Sequence, residues 1–172
     1  MAGTQLPPRL ADVAVRELLE GKTLFLKSRG LDDADVVALA PHLAQNGALR
    51  ELYLGFNSFG DEGAKALCEA LGTAAEAAGQ RLTLLGLRHC RLGDGAAEAV
   101  AELLRRAPSL DDVGVDENSI GDAGAEALAA ALPESKALRE LYVGDNAMTE
   151  EGQAKLKAAA ASRPGLTVHF RR

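Results

Sequence analysis

The 172-residue chain is predicted to be an α/β protein, a right-handed solenoid bent into an arc with a parallel β-sheet on the concave face and α-helices on the convex face. Three observations predict it. A unit of one short strand and one helix recurs at Gly21, Leu49, Leu82, Leu110 and Leu138, at intervals of 28, 33, 28 and 28 residues. Periods of this length mark stacked architectures in which no single unit buries its apolar side alone. Within each unit the apolar pattern changes from alternation to three-and-four spacing, the marks of a strand and of a helix. Aromatic residues, finally, make up only 3% of the chain, with no Trp, so leucine and alanine must fill thin repeated layers rather than one large core.

Residues 1–8 read as a proline-interrupted lead, and Arg9–Glu20 (RLADVAVRELLE) as one helix offering Leu10, Val13, Leu18 and Leu19 for burial. Residues 1–20 together are expected to cap the first end of the stack, because a terminal unit must be shielded. The five repeats span 21–165. The clearest, LRELYLGFNSFGDEGAKALCEAL from Leu49 to Leu71, sets the pattern. Its fourth position recurs as Leu24, Leu52, Leu85, Val113 and Leu141, and its sixth as Leu26, Leu54, Leu87, Val115 and Val143. The eleventh reads Leu31, Phe59, Leu92, Ile120 and Met148. Asp33, Asp61, Asp94, Asp122 and Glu150 each enter a helix, where the dipole favours an acid. The long interval comes from Gly72–Gln80 (GTAAEAAGQ), read as a loop extension with an extra helical turn as the alternative. Thr149–Ser162 is expected as a helix capped by Thr149. Leu166 is placed as the next repeat start, 28 residues after Leu138, and Leu166, Val168 and Phe170 alternate as a closing strand within 166–172. His169, Arg171 and Arg172 are placed at its exposed edge, where charge discourages further pairing.

The pattern LxxLxLxxN/CxL followed by D/E-x-G-A-x-x-L resembles the leucine-rich repeats of the ribonuclease-inhibitor class, in which each repeat carries a full helix. The resemblance covers Gly21 to about Leu166 and departs at the first unit, where Gly21 replaces the first leucine and Arg29 the ninth-position asparagine. It implies a horseshoe-like arc, and a physical argument gives the same result. Paired strands lie about 4.8 Å apart and packed helices about 8–10 Å apart, so the two layers match only if the stack bends with its strands inside. The ninth-position residues Asn57, Asn118 and Asn146 are expected to satisfy loop backbone groups, with Cys90 at the same rung a buried structural thiol. Cys68, beside Leu67 on a helix, is read as packing.

Between the inward leucines, the intervening residues point into the concavity. The central row reads Phe25, Tyr53, Gly86, Gly114 and Tyr142, and the row before it Thr23, Glu51, Leu84, Asp112 and Glu140. The rows after it read Lys27, Gly55, Arg88, Asp116 and Gly144, then Ser28, Phe56, His89, Glu117 and Asp145. Phe25, Tyr53, Phe56 and Tyr142 have no interior role there and are candidate anchors for a partner protein. Cross-strand packing of Phe25 on Tyr53 is the plainer alternative. Gly86 and Gly114 leave a side-chain-free trough between Tyr53 and Tyr142, with Leu84 at its edge. Arg88 is expected to pair with Asp116 and His89 with Glu117, leaving Glu51, Asp112, Glu140 and Asp145 without basic neighbours. The concavity is therefore expected to attract a basic segment of another protein, or else to be a solvated acidic face.

A formal charge of −6 argues against nucleic acid or an anionic membrane as the main partner. No apolar run approaches the roughly 18 residues of a membrane span, and the N-terminus lacks a secretory pattern. Two cysteines make no disulfide framework, so a cytoplasmic, reducing setting is expected. No phosphate-binding motif is present; GDEG, GDGA and GDAG are repeat turns. His42, His89 and His169 are dispersed, and the consecutive His89 and Cys90 point to opposite faces of a strand. No catalytic site, metal or cofactor is expected. The sequence thus reads as a complete, short, monomeric solenoid binding another protein through its inner strands, at Phe25, Glu51, Tyr53, Phe56, Leu84, Arg88, Asp112, Asp116, Glu140, Tyr142 and Asp145. The resemblance carries one enzyme-linked alternative, a GTPase-activating protein of the Ran activator type. A second alternative is a ligand-sensing piece of an immune-receptor-like repeat array.

Overall fold

The computed structural model describes residues 6–78 and 81–171. Expectations for residues 1–5, for Gly79 and Gln80 at the end of the insertion, and for Arg172 lie outside the described residues. A 3-10 turn at Pro8–Leu10 and a short helix α1 (Val15–Glu20) open the chain. Then follow β1 (Thr23–Phe25), α2 (Asp33–Gln45), β2 (Glu51–Tyr53), α3 (Asp61–Ala78), β3 (Leu84–Gly86) and α4 (Asp94–Arg106). The second half holds β4 (Asp112–Gly114), α5 (Asp122–Ala131), β5 (Glu140–Tyr142), α6 (Glu150–Ala161) and β6 (Thr167–His169). The strands form one parallel sheet in chain order, β1 to β6, and each helix from α2 to α6 packs on the next. This is the right-handed α/β arc that the repeats predict, with Leu10, Val13 and Leu18 packed into the core at its first end.

The core lies between the layers. Leu24, Leu52, Leu85, Val113 and Leu141 stand in register across the sheet and are fully buried. They meet helix residues such as Leu39, Leu67, Val100 and Leu128, also fully buried. Two polar ladders lock the units in series. Asn118 Oδ1 accepts from the Cys90 and Leu92 amides at 2.9 and 3.2 Å, while its Nδ2 donates to the carbonyls of Leu87 and Val115, both at 3.0 Å. Asn57 and Asn146 repeat the arrangement at their own rungs. Just before this rung, Ser28, Phe56, His89, Glu117 and Asp145 all adopt left-handed backbone (φ 52–60°), turning the chain off the sheet towards the helix layer.

The second ladder runs along the helix N-termini. The N-cap positions of α4 and α5 are Gly93 and Gly121, without side chains to cap with. The acid of the preceding repeat serves instead: Asp61 accepts from the Gly93 amide at 2.7 Å, and Asp94 from the Gly121 and Gly124 amides at 2.7 and 2.9 Å. Asp33 does the same for Gly60 and Gly63. Each acid therefore holds the helix after its own. This accounts for the recurring glycine: a Cβ at Gly124 would lie 2.7 Å from Asp94 Oδ1, and one at Gly152 2.3 Å from Asp122 Oδ1.

Three expectations about elements and register are corrected, and one about burial. The N-terminal helix over Arg9–Glu20 is instead a 3-10 turn and the six-residue α1. Pro8 starts the turn, and Val13 inserts between the two pieces at 6% exposure. The long repeat does not extend a loop; α3 has 18 residues where α2 and α4 have 13. The added turn is tied to α4 by Arg106, whose guanidinium meets Glu69 and Glu76, each at 2.8 Å. The last strand pairs Thr167 with Glu140, so its register falls one residue earlier than a 28-residue interval from Leu138 requires. Gly165, in the left-handed region at φ 88°, turns the chain early. Val168 then faces the core opposite Leu141, and His169 enters the concave row opposite Tyr142. Cys90 is also less buried than expected, although burial still pushes its thiol up to about 11.

Candidate partner interface

Three-residue strands paired in register present the central row as a straight line of side chains across the sheet. At one side of this line Phe25 stacks on Tyr53, centroids 5.0 Å apart and planes 8° from parallel. At the other, Tyr142 stacks on His169 at 4.3 Å and 8°. Gly86 and Gly114 separate the two stacks. The result is a trough of about 270 Å³. Tyr53 and Tyr142 wall it, Leu84, Gly86, Asp112 and Gly114 floor it, and Lys27, Phe56, Arg88 and Asp116 close its remaining rim.

Of the sequence-predicted residues, Tyr53, Phe56, Leu84, Arg88, Asp112, Asp116 and Tyr142 converge on this trough. Phe25 lies outside it, 65% exposed and backing Tyr53. Glu51 accepts from the Tyr53 hydroxyl at 3.2 Å. Asp145 is exposed beside a small recess shared with His169 and Arg171. Glu140 corrects the sequence reading. It was expected to lack a basic neighbour, but His169 Nε2 lies 2.5 Å from its carboxylate, because the shifted last strand brings that ring inward. The sequence reading also left out Lys27, whose ammonium sits 4.7 Å from the Tyr53 ring centroid. Its place in the row after the tyrosines was the available signal.

The electrostatics separate the carboxylates. Arg88 bridges Glu117 and Asp116, with Nε 3.2 Å from Asp116 but outside hydrogen-bond alignment. His89 Nδ1 lies 3.1 Å from the same Glu117. Arg88 draws the Glu117 carboxyl below its ordinary range. Asp116 is instead held above its own, because burial outweighs the pull of Arg88. Asp112 is likewise raised, first by burial and then by the charges of Asp111 and Glu140. Burial also raises the Tyr142 hydroxyl, with Asp112 and Glu140 adding to it. The floor of the trough is thus a place of negative potential and restricted hydration. Among the described residues no His, Cys, Asp and Glu converge as a metal-binding set, and no helix is long and apolar enough to cross a membrane.

Residues 46–68 and 110–129 match a family model described as Leucine Rich repeat. The chain is 32% identical over 117 residues to the ribonuclease inhibitor of Sus scrofa, a match covering 63% of this chain and 25% of the inhibitor. The matched segments are leucine-rich repeats, and the chain is similar to the ribonuclease-inhibitor type of that repeat. The repeat chain is also 34% identical over 117 residues to NACHT, LRR and PYD domains-containing protein 12 of Homo sapiens, covering 63% of this chain and 11% of that protein. It therefore spans about a quarter or less of the curated relatives named here. Among solved structures it resembles the leiomodin-1 actin-binding site 2, with a TM-score of 0.66 at 14% identity, over 86% of this chain and 85% of that one. At that identity the likeness concerns the fold.

Proposed function

We propose that this repeat chain is a protein-interaction module that binds a partner through its concave face, without chemistry of its own. The observation that carries the reading is the aromatic-walled trough: two tyrosines, each backed by a stacked ring, stand over a glycine floor on a surface that the fold itself leaves open. Exposed aromatic groups in a concave, partly desolvated setting are the usual energetic centre of protein contacts. A relative named as an inhibitor of ribonuclease supports a protein as the class of target. The free thiols of Cys68 and Cys90 support work in a reducing compartment, and the chain acts as a cytoplasmic monomer in this reading.

Paired affinity captures test it, using the wild-type chain, a Tyr53→Ala/Tyr142→Ala form and an Arg106→Ala form altered only on the convex side. A partner held by wild type and Arg106→Ala but lost from the double variant locates the site. Equal retention by all three forms removes the concave face from the proposal. Phosphate release from a GTP-loaded small GTPase separates this reading from the activator alternative.

A further inference from the structure

We infer that the trough seats an α-helix of the partner, lying along β3 and β4 with a lysine or arginine side chain set against Asp112. The inference rests on the concave-face reading above and goes further, to the kind of segment bound. Its first support is width. Tyr53 on β2 and Tyr142 on β5 are three strand spacings apart, about 14 Å, and the Tyr53 ring leans over Gly86, 3.3 Å from where a Cβ would stand, so an element seated between the tyrosines rests on the Tyr53 ring face and on the open floor above β4. An α-helix with its side chains measures about 10–12 Å across. The floor suits it: a Cβ on Gly114 would meet nothing nearer than Asp116 Oδ1 at 3.5 Å, so the space above that glycine is open.

The second support is backbone chemistry. β3 and β4 are paired on both sides, so their amides and carbonyls are already committed to the ladder. An extended peptide laid in the trough would find no backbone partners there, whereas a helix satisfies its own.

The third is charge. Arg88 is neutralised by Asp116 and Glu117, and Glu140 by its contact with His169 when that ring is protonated. Asp112 differs. It is half-buried on the trough floor, and among the described residues no hydrogen bond or ion pair reaches its carboxylate. Asp111 and Glu140 outweigh the smaller opposing effect of His169 and keep its surroundings negative. A cation placed there gains a carboxylate in a site of restricted hydration together with the face of a tyrosine ring. Lys27 over Tyr53 shows that an ammonium group fits against such a wall.

The test uses three synthetic peptides of equal length, read by fluorescence anisotropy against the full chain. The first is a lactam-stabilised alanine-rich helix with lysines on one face. The second carries glutamates in their place, and the third has the lysine sequence broken by a central proline. The basic helix should bind saturably and at least about tenfold more tightly than either control. Gly114→Leu fills the trough while leaving both tyrosines, and should abolish that binding. Asp112→Asn, which keeps the shape, should weaken it by about threefold or more. Equal binding of the proline-broken peptide, indifference to Gly114→Leu with a native melting profile, or no saturable binding of the basic helix would each overturn the inference. If the tyrosine pair still governs partner capture in that case, the interaction reading survives and only the helical occupant falls.

Discussion

Cys90 occupies a rung that Asn57, Asn118 and Asn146 fill elsewhere, and the difference has a definite energetic consequence. Its Sγ lies 3.6 Å from the Leu54 carbonyl and can donate weakly. Sulfur is a poor acceptor, however, and the backbone bond it takes from Asn57 is weaker than those that the Cys90 and Leu92 amides make to Asn118. Cys90→Asn should therefore stabilise the chain by about 1 kcal/mol, whereas Asn118→Ala should cost about 2–4 kcal/mol. Urea unfolding of the two variants checks both signs. Asp112 gives a second prediction. Its carboxyl is raised in the folded state, so it weakens the fold wherever it is ionised in both states. The penalty disappears once pH falls below the unfolded-state value of about 3.9. Asp112→Asn should melt above wild type at pH 7, and the gap should close as the pH falls to about 3. A gap that stayed constant across paired melts would assign it to something other than charge. At this position the group proposed for binding lowers the stability of the free chain.

Between elements, the glycines show which contacts are rigid. In α5, a methyl on Gly124 would meet Asp94 Oδ1 and Ile120 Cγ2 at 2.7 Å and Ala97 Cβ at 2.8 Å. Those atoms belong to the carboxylate cap and the packed core, so Gly124→Ala should cost about 1–3 kcal/mol despite the better helix propensity of alanine. In α3, the atoms that a methyl on Gly72 would meet first all belong to the Arg106 guanidinium, nearest at 2.8 Å, the far end of a long side chain that can shift against its exposed partners. Gly72→Ala should be neutral or stabilising by up to about 1 kcal/mol. Thermal melts of the two variants decide whether the acid ladder, rather than glycine itself, sets the requirement. The Arg106 cluster adds little to this balance, since its partners Glu69 and Glu76 are 70% and 55% exposed and such pairs contribute about 0–1 kcal/mol.

Across the whole molecule each unit touches only its neighbours, so stability should fall towards the ends. α6 buries only Gly152 and Leu156, and the inward residues of the last strand, Leu166, Val168 and Phe170, are only partly covered. In native-state hydrogen exchange the amides of β6 should therefore open before those of β3 and β4, which lie at the centre beneath the proposed site. Uniform protection from β1 to β6 would mean that the stack unfolds as one unit. A slow-exchanging centre also holds the tyrosine walls at constant separation, which a trough of fixed width requires.

The repetition itself was legible without coordinates. The alternation around Leu52 and Leu54, the acids at Asp33, Asp61, Asp94 and Asp122, and the row Tyr53–Gly86–Gly114–Tyr142 all follow from local periodicity, because backbone period and side-chain direction are properties of each short segment. What required the tertiary structure lies between segments. A single early turn at Gly165 moved His169 from an edge into the concave row and gave Glu140 a partner. Five extra residues became helix, with Ala74 buried among its neighbours and Glu76 meeting Arg106 of the next helix. The choice among carboxylates, with Glu117 and Glu140 engaged and Asp112 left open, depends on distances of a few ångströms across adjacent strands. Those distances are set by how whole units stack, and no one unit's sequence contains them.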